Sequence, residues 1–262
     1  MDATAIRFDD GGAYEGFMGV WSRLAGDVFL DWLAPPSGLH WADVGCGNGA
    51  FTARLLARCA PVAVDGIDPS EEQLAYARTR LDGRVRLRVG DAMALPWADD
   101  AFDAAVMALV IFFVPDPATG TREMARVVRP GGSVSAYAWD LEGAGFPYAA
   151  IQDELVALGS PHLGPPSPGA ARLDTMRALW ADAGLVDIDT TVITVARSFA
   201  DFDDYWRIAR TGPRIAPRVA ALSAADVSRL RDRLRHRLVA DDEGRIIHTA
   251  RAHAIRGRVP AA

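Results

Sequence analysis

One stretch of nine residues, Trp41-Ala-Asp-Val-Gly-Cys-Gly-Asn-Gly49, limits the fold more than any other part of the chain. It reads as a buried strand running into a glycine-rich turn that opens a helix. Gly45, Gly47 and Gly49 stand at alternate positions and leave no side chain between the backbone and a ligand. Glycine tolerates dihedrals that other residues resist, so the turn is expected to aim backbone N–H groups at a bound molecule. Asp43 sits where the strand ends, the level at which open α/β sheets bind ligands.

Two further acidic residues follow at matching points. The segment 61–67 is short and mostly apolar, a second strand, and it ends in Asp68 before Ser70-Glu71-Glu72-Gln73 opens a helix. A carboxylate at that tip can accept both hydroxyls of a ribose. A third strand, 85–89, is followed by Gly90-Asp91-Ala92. A carboxylate there can accept from the exocyclic amine of an adenine while the next N–H, of Ala92, donates to a ring nitrogen. Together the three sites describe an adenosine extended on its 5′ side. A dinucleotide fingerprint would read Gly-x-Gly-x-x-Gly, and a P-loop would end in Gly-Lys-Ser or Gly-Lys-Thr. The chain has Gly-x-Gly-x-Gly and no such lysine motif.

With these residues in place the chain resembles the class I S-adenosylmethionine-dependent methyltransferases, in the type 11 group that includes quinone-biosynthesis and other small-molecule methyltransferases. The carrying motifs are 43–49, Gly66-Ile67-Asp68-Pro69-Ser70, Gly90-Asp91-Ala92 with Leu95-Pro96, Phe102-Asp103, Val114-Pro115-Asp116-Pro117 and Arg129-Pro130-Gly131-Gly132. They span roughly 42–140. The resemblance implies a Rossmann-like α/β fold: a seven-stranded sheet in the order 3-2-1-4-5-7-6, the last strand antiparallel. It implies S-adenosylmethionine as cofactor, with S-adenosylhomocysteine as product. It places Asp43, Gly45, Cys46, Gly47, Gly49, Asp68, Pro69, Asp91, Ala92 and Leu109 around that cofactor. Tyr14, Phe17-Met18 and Trp21-Ser22-Arg23 resemble the cofactor-covering helix of related bacterial enzymes. Arg23 either pairs with the methionyl carboxylate, a planar bidentate target, or is a surface arginine. Gln73 either lies against the adenine, as the matching family position does, or closes a capping box from Ser70.

Length and charge agree with one domain. A chain of 262 residues is long enough to bury a large core. The expected division is an N-terminal cover over 1–36, a cofactor-binding core over 37–140, and two inserted segments, 141–173 and 198–240, that act as substrate lids. Half of the residues are hydrophobic, yet no run approaches the ~18 uninterrupted apolar residues of a membrane span. The start has neither a basic region nor an apolar core, so no signal peptide is expected. Cys46 and Cys59 do not make a disulfide framework, and two free thiols fit a reducing cytoplasm. The net charge of −6 and the absence of a basic stripe argue against a nucleic-acid partner. Arg229, Arg231, Arg233, Arg235 and Arg237 stand at alternate positions, which divides them into two arcs of a helix around a Val227, Leu230, Leu234, Leu238 stripe. No histidine or cysteine spacing fits a metal site, and no metal is expected. Monomer and homodimer both stay open.

The remaining segments read as helices at 118–128, 149–158 and 176–183, strands at 102–110, 133–139, 185–196 and 245–255, and a helical insertion at 198–240. Residues 160–169 hold four prolines and two glycines, which excludes regular structure there. Transfer of a methyl group from a sulfonium disperses a positive charge, so a dry and weakly polar site favours it. Holding the nucleophile in line at ~3 Å supplies much of the acceleration. A base is needed only if the nucleophile must lose a proton. Ile111, Phe112 and Phe113 stand where the family often has histidine. Phe112, Phe113 and Trp139 are expected to wall the acceptor, a small or medium and partly apolar molecule. The weak candidates for a base are His162, Asp140 and Tyr14. A competing reading is a non-catalytic adenosylmethionine-binding or partner protein.

Overall fold

The computed structural model describes residues 15–261. Tyr14 and the earlier part of the expected N-terminal cover lie outside the described residues. Seven strands form one sheet in the order β3-β2-β1-β4-β5-β7-β6. They are β1 (His40–Val44), β2 (Ala63–Asp68), β3 (Val85–Val89), β4 (Phe102–Ala108), β5 (Val128–Trp139), β6 (Val186–Phe199) and β7 (Ile246–Arg258). The first five pair in parallel, and β7 runs antiparallel to both β5 and β6. This is the order and direction that the motif resemblance implied.

The helices in chain order are α1 (Val20–Leu33), α2 (Ala50–Cys59), α3 (Glu71–Arg78), α4 (Pro117–Val127), α5 (Ala149–Ala157), α6 (Leu173–Asp182), α7 (Phe202–Ala209), α8 (Ala216–Ala220) and α9 (Ala224–Arg237). Their limits follow from local chemistry. Ser70 caps α3 by accepting the Gln73 N–H, and Ser223 caps α9 by accepting the Asp226 N–H. Asp116 caps α4 with Pro117 at its first position, where a missing N–H costs nothing. Ala34 closes α1 in the left-handed conformation, its N–H on the Leu30 carbonyl, and Pro35-Pro36 cannot continue the helix.

The central strands are buried on both faces, which is why β1 and β4 read as apolar runs rather than alternating ones. Helix α3 packs on β2 and β3, α4 on β4 and β5, and α1 and α6 on the β6–β7 pair. Phe29 meets Tyr137 at 4.7 Å between ring centroids and Phe51 at 6.0 Å. The Trp180 indole donates to the Val134 carbonyl at 3.0 Å, which satisfies its one polar group inside the core. Each such ring contributes ~1.5–3 kcal/mol by leaving water.

Three departures from the sequence expectations bear on the site. First, β5 begins at Val128 rather than at residue 133. Val128 pairs with Phe102, and the register then shifts. The Arg129-Pro130-Gly131-Gly132 run is an irregularity inside the strand, where a Cβ on Gly132 would stand 2.6 Å from the Asp103 carbonyl. Second, a short 3-10 turn, Pro168–Ala171, takes up the end of the proline-rich segment.

Third, β6 and β7 are longer than their sequence signals. β5 ends at Trp139, opposite Ala252, yet β7 pairs with β6 on to Ile246 opposite Phe199. Six further residue pairs therefore run past the carboxyl edge of the parallel sheet, a two-stranded arm of ~20 Å. That arm carries α7, α8 and α9 in its connection. The first insertion meets the second where α5 packs on α9. Arg233 and Arg237 of α9 reach Glu154, and Arg237 also reaches Asp153.

Candidate cofactor and acceptor site

The tips of β1, β2, β3 and β4 lie side by side because the register levels them: Asp43 is opposite Gly66 and Val106, and Asp68 is opposite Val89. Asp43 is fully buried and its Oδ2 accepts from the Thr52 hydroxyl at 2.6 Å. Its Oδ1 is buried with no partner. Burial raises its pKa to about 7; the Thr52 bond opposes the rise and the nearby Asp68 charge adds to it. A sequence reading had no reason to single out Thr52, nine residues later on the inner face of α2.

Asp68 holds the turn together. Its Oδ2 accepts the Gly47 N–H at 2.9 Å and its Oδ1 accepts the Ser70 N–H at 2.9 Å. Burial still raises its pKa, and those two amides offset only part of the rise. The Gly45 and Cys46 amides donate to the Ile67 carbonyl at 2.7 and 3.0 Å, and the Gly49 amide donates to the Cys46 carbonyl at 2.9 Å. The expectation that these N–H groups face a ligand is therefore corrected: they knit the turn to β2. The glycines serve close approach instead. Gly45 has φ +79°, and a Cβ there would stand 2.5 Å from both Val110 methyls. Cys46 is buried, and burial together with the Asp43 and Asp68 charges pushes its thiol far up, so it is no nucleophile.

Pro69 is exposed beside Asp68. Gln73 is buried and its N–H meets the Ser70 hydroxyl oxygen at 3.3 Å. The Gly90 N–H donates to the Asp68 carbonyl at 3.2 Å and brings the third tip alongside the second. Asp91 is exposed, and its Oδ1 accepts the Met93 N–H at 2.8 Å. Ala92 beside it is half-buried. Leu109 adopts φ +64°, a left-handed conformation that a branched side chain resists. Its N–H donates to the Tyr137 carbonyl at 2.8 Å, so strained backbone sits where β4 meets the crevice. Arg23 is half-buried on α1.

On the acceptor side the expectations fare unevenly. Phe112 is buried and its ring meets that of the exposed Phe113 at 4.5 Å, tilted by 54°. Trp139 is 2% exposed and belongs to the core, which corrects its reading as a pocket wall. Asp140 is corrected as well. Burial would raise its pKa, but the Gly143 amide and the Arg251 guanidinium outweigh burial and hold the carboxyl below its ordinary range. With Arg251 at 2.7 Å, it straps the start of the first insertion to β7 and is a poor base. His162 is exposed in the proline-rich segment.

That segment is nonetheless docked. The Ser167 N–H donates to the Phe112 carbonyl at 3.1 Å, and its hydroxyl donates to the Val114 carbonyl at 2.8 Å. Tyr148, which sequence reasoning passed over, is fully buried. Its hydroxyl donates to the Phe17 carbonyl at 2.9 Å and accepts from the Trp21 indole at 3.3 Å. Burial pushes that phenol up to about 12. Two grooves lie off this edge, one of about 320 Å³ beside Phe202, Arg235 and Ile246, the other of about 380 Å³ beside Leu33, Arg129 and Arg256. Neither groove is lined by Asp43, Asp68 or Asp91.

The residues fit S-adenosylmethionine. Asp43 offers a buried, partnerless oxygen, and Asp68 keeps lone pairs beyond the two its amides use. Comparison with known proteins agrees. Residues 42–136 match the family model for the methyltransferase domain. The chain is 37% identical over 115 residues to the ubiquinone/menaquinone biosynthesis C-methyltransferase of Paracoccus denitrificans, covering 42% of this chain and 46% of that one. Over 98 residues it is 44% identical to the methyltransferase GfsG of Streptomyces halstedii, covering 36% of this chain and 35% of that one. The chain thus matches less than half the length of these relatives. In fold, it is similar to a phosphoethanolamine N-methyltransferase of Haemonchus contortus solved with S-adenosyl-L-methionine. There the TM-score is 0.58 at 19% identity, over 95% of this chain and 56% of that one. Among the described residues no helix is long and apolar enough to cross a membrane, and no group of His, Cys, Asp and Glu is arranged to hold a metal ion.

Proposed function

We propose that this protein is a cytoplasmic methyltransferase that uses S-adenosylmethionine to methylate a small or medium, partly apolar acceptor. S-adenosylmethionine, when bound, supplies an electrophilic methyl group on a positively charged sulfonium. In this reading Asp68 accepts the ribose hydroxyls, and Asp91 with the Ala92 N–H meets the adenine edge. Gln73 and Leu109 flank the base, and Gly45, Cys46, Gly47 and Gly49 let the backbone come close. Pro69 shapes the turn after Asp68. The free Oδ1 of Asp43 accepts from the ammonium of the methionyl end, and Arg23 pairs with its carboxylate. Phe112, whose carbonyl holds the docked 160–167 segment, and Phe113 beside it wall the methyl-transfer position. Residues 141–173 and 198–240, with the cover over 1–36, enclose the acceptor.

The observation that carries the reading is the set of carboxylates at three adjacent strand tips, stepped along the edge, with Asp43 opposite Gly66 two residues before Asp68 and buried with an uncommitted oxygen. Calorimetry with S-adenosylmethionine and S-adenosylhomocysteine is the first test, and both are expected to bind one site. Incubation with methyl-labelled cofactor and a panel of phenolic, amine and carboxylate acceptors is the second. Binding without turnover on any acceptor would point to a binding module, and absence of binding would reject the reading.

A further inference from the structure

The second insertion treats its arginines in two ways. Along α9 each exposed arginine finds a carboxylate: Arg229 reaches Asp226, Arg231 and Arg235 reach Asp203, and Arg233 and Arg237 reach Glu154. Just before α9 the pattern breaks. Arg218, on α8, is only 8% exposed, and its Nε and Nη2 are buried with no hydrogen-bond partner. Arg214, four residues earlier, is half-buried and uses Nη1 on the Leu163 carbonyl at 3.0 Å. Among the described residues no carboxylate pairs with either. Burial alone lowers the pKa of both guanidinium groups. An uncompensated buried cation is costly, and protein interiors rarely keep one without a counter-charge.

The position of this pair matters. Gly212 lies against the Phe17 ring, where a Cβ would come within 2.5 Å of Cζ, and Phe17 stacks on Tyr148 at 4.1 Å. Arg214 holds Leu163, in the segment whose Ser167 is bonded to the carbonyls of Phe112 and Val114 at the tip of β4. Gly212 and Arg214 therefore touch both other covers of the crevice, and Arg218 follows on the next helix. A guanidinium fork matches a carboxylate or a phosphate bidentately, and a desolvated fork binds one more strongly than an exposed one.

We propose that Arg218, supported by Arg214, is the recognition site for an oxyanion on the methyl acceptor, so that the acceptor class is an apolar carboxylate or phosphate ester rather than a neutral molecule. This rests on the methyltransferase reading above and narrows its substrate class. The paired arginines of α9 are solvated neighbours with no such role. Arg218 acts as a specificity residue: it orients the acceptor from the far end and takes no part in bond making.

The test uses the full chain saturated with S-adenosylhomocysteine, whose binding is measured first. Benzoate and phenyl phosphate are then titrated by calorimetry, with melting followed in parallel. At least one of the two is expected to bind. Its affinity should fall by about tenfold or more in Arg218→Met, be partly kept in Arg218→Lys, and be unchanged in Arg231→Met, which removes the same charge from the surface. Without anion, Arg218→Met should melt at or above the wild-type temperature, because it deletes an unpaired buried charge. The proposal is overturned if neither anion binds the wild type, if Arg218→Met binds as well as wild type, or if Arg218→Met melts several degrees lower while Arg218→Lys does not, which would mark a structural arginine. Failure to bind S-adenosylhomocysteine overturns the methyltransferase reading as well. Intact S-adenosylhomocysteine binding with any of the three outcomes above sinks only the oxyanion site.

Discussion

The strand-tip edge and the two insertions are built on different scales. At the edge, most of the groups that matter are close in sequence and bonded to one another, Asp68 to Ser70, Asp43 to Thr52 and Asp91 to Met93, and the longest reach is Asp68 to Gly47 across 21 residues. In the insertions the decisive contacts join distant residues: Tyr148 to Phe17, Arg251 to Asp140, Arg214 to Leu163. The edge is a preformed, rigid mould whose polar groups are mostly satisfied before any ligand arrives. The insertions are a packed cover that leaves Arg218 and the Tyr205 hydroxyl buried without partners, as the edge leaves Asp43 Oδ1 and Asn48 Nδ2. A mould of this kind suits a ligand of fixed shape. Unsatisfied polar atoms in a cover suit a ligand that completes them.

That contrast can be broken most forcefully at Gly45. A Cβ there meets Val110 at 2.5 Å and sits at φ +79°, so Gly45→Ala should lower unfolding free energy by ~2–4 kcal/mol in a urea titration. A loss below 1 kcal/mol would show that the mould is softer than its geometry implies. The next effect is pH-dependent. The Asp43 carboxyl rises from 3.8 to about 7 on folding, so the folded state binds the extra proton between those values. Its contribution to stability is full below the lower value and is lost as pH rises through about 7. Free protein should therefore lose stability between pH 5 and 8, on the order of 3 kcal/mol from this group. Asp43→Asn should flatten that slope. S-adenosylmethionine affinity should rise over the same range in wild type only, since the ammonium needs the ionised carboxylate.

A smaller effect is expected at Asp68. Asp68→Ala should weaken S-adenosylmethionine binding by ~1–3 kcal/mol, read by calorimetry. Unchanged affinity would reject its ribose role. The smallest lies in the cover. Ser167→Ala removes the hydroxyl bonded to Val114 and should cost about 1 kcal/mol of stability while leaving cofactor affinity within twofold. A large loss of cofactor affinity there would erase the distinction between mould and cover.

How far the residues could be read in advance follows the same line. The strand-turn-helix at 41–49, the capped start of α3 at Ser70 and the amphipathic helix α9 with its arginine flanks were legible because each depends on neighbours a few residues apart. The sheet order came through the motif resemblance. Trp139 and Asp140 were misread because their surroundings are made by β7, more than a hundred residues later: Trp139 pairs with Ala252, and Asp140 binds Arg251. Thr52 and Tyr148 carried no signal, since a threonine in a helix or a tyrosine in a loop gains meaning only from the buried group it faces. The direction of the turn's amides was also out of reach, because the Ile67 carbonyl that receives them is delivered by strand pairing.

By itself, then, the chain specified its strand-tip edge: apolar strands, glycines where a Cβ would collide, and carboxylates at the ends of successive strands are all short-range properties. Only the folded molecule decided what covers that edge. The arm of β6 and β7, the strap between Asp140 and Arg251 and the lone charge of Arg218 arise from contacts between segments far apart in sequence, and the energy of a buried charge depends on what surrounds it in space.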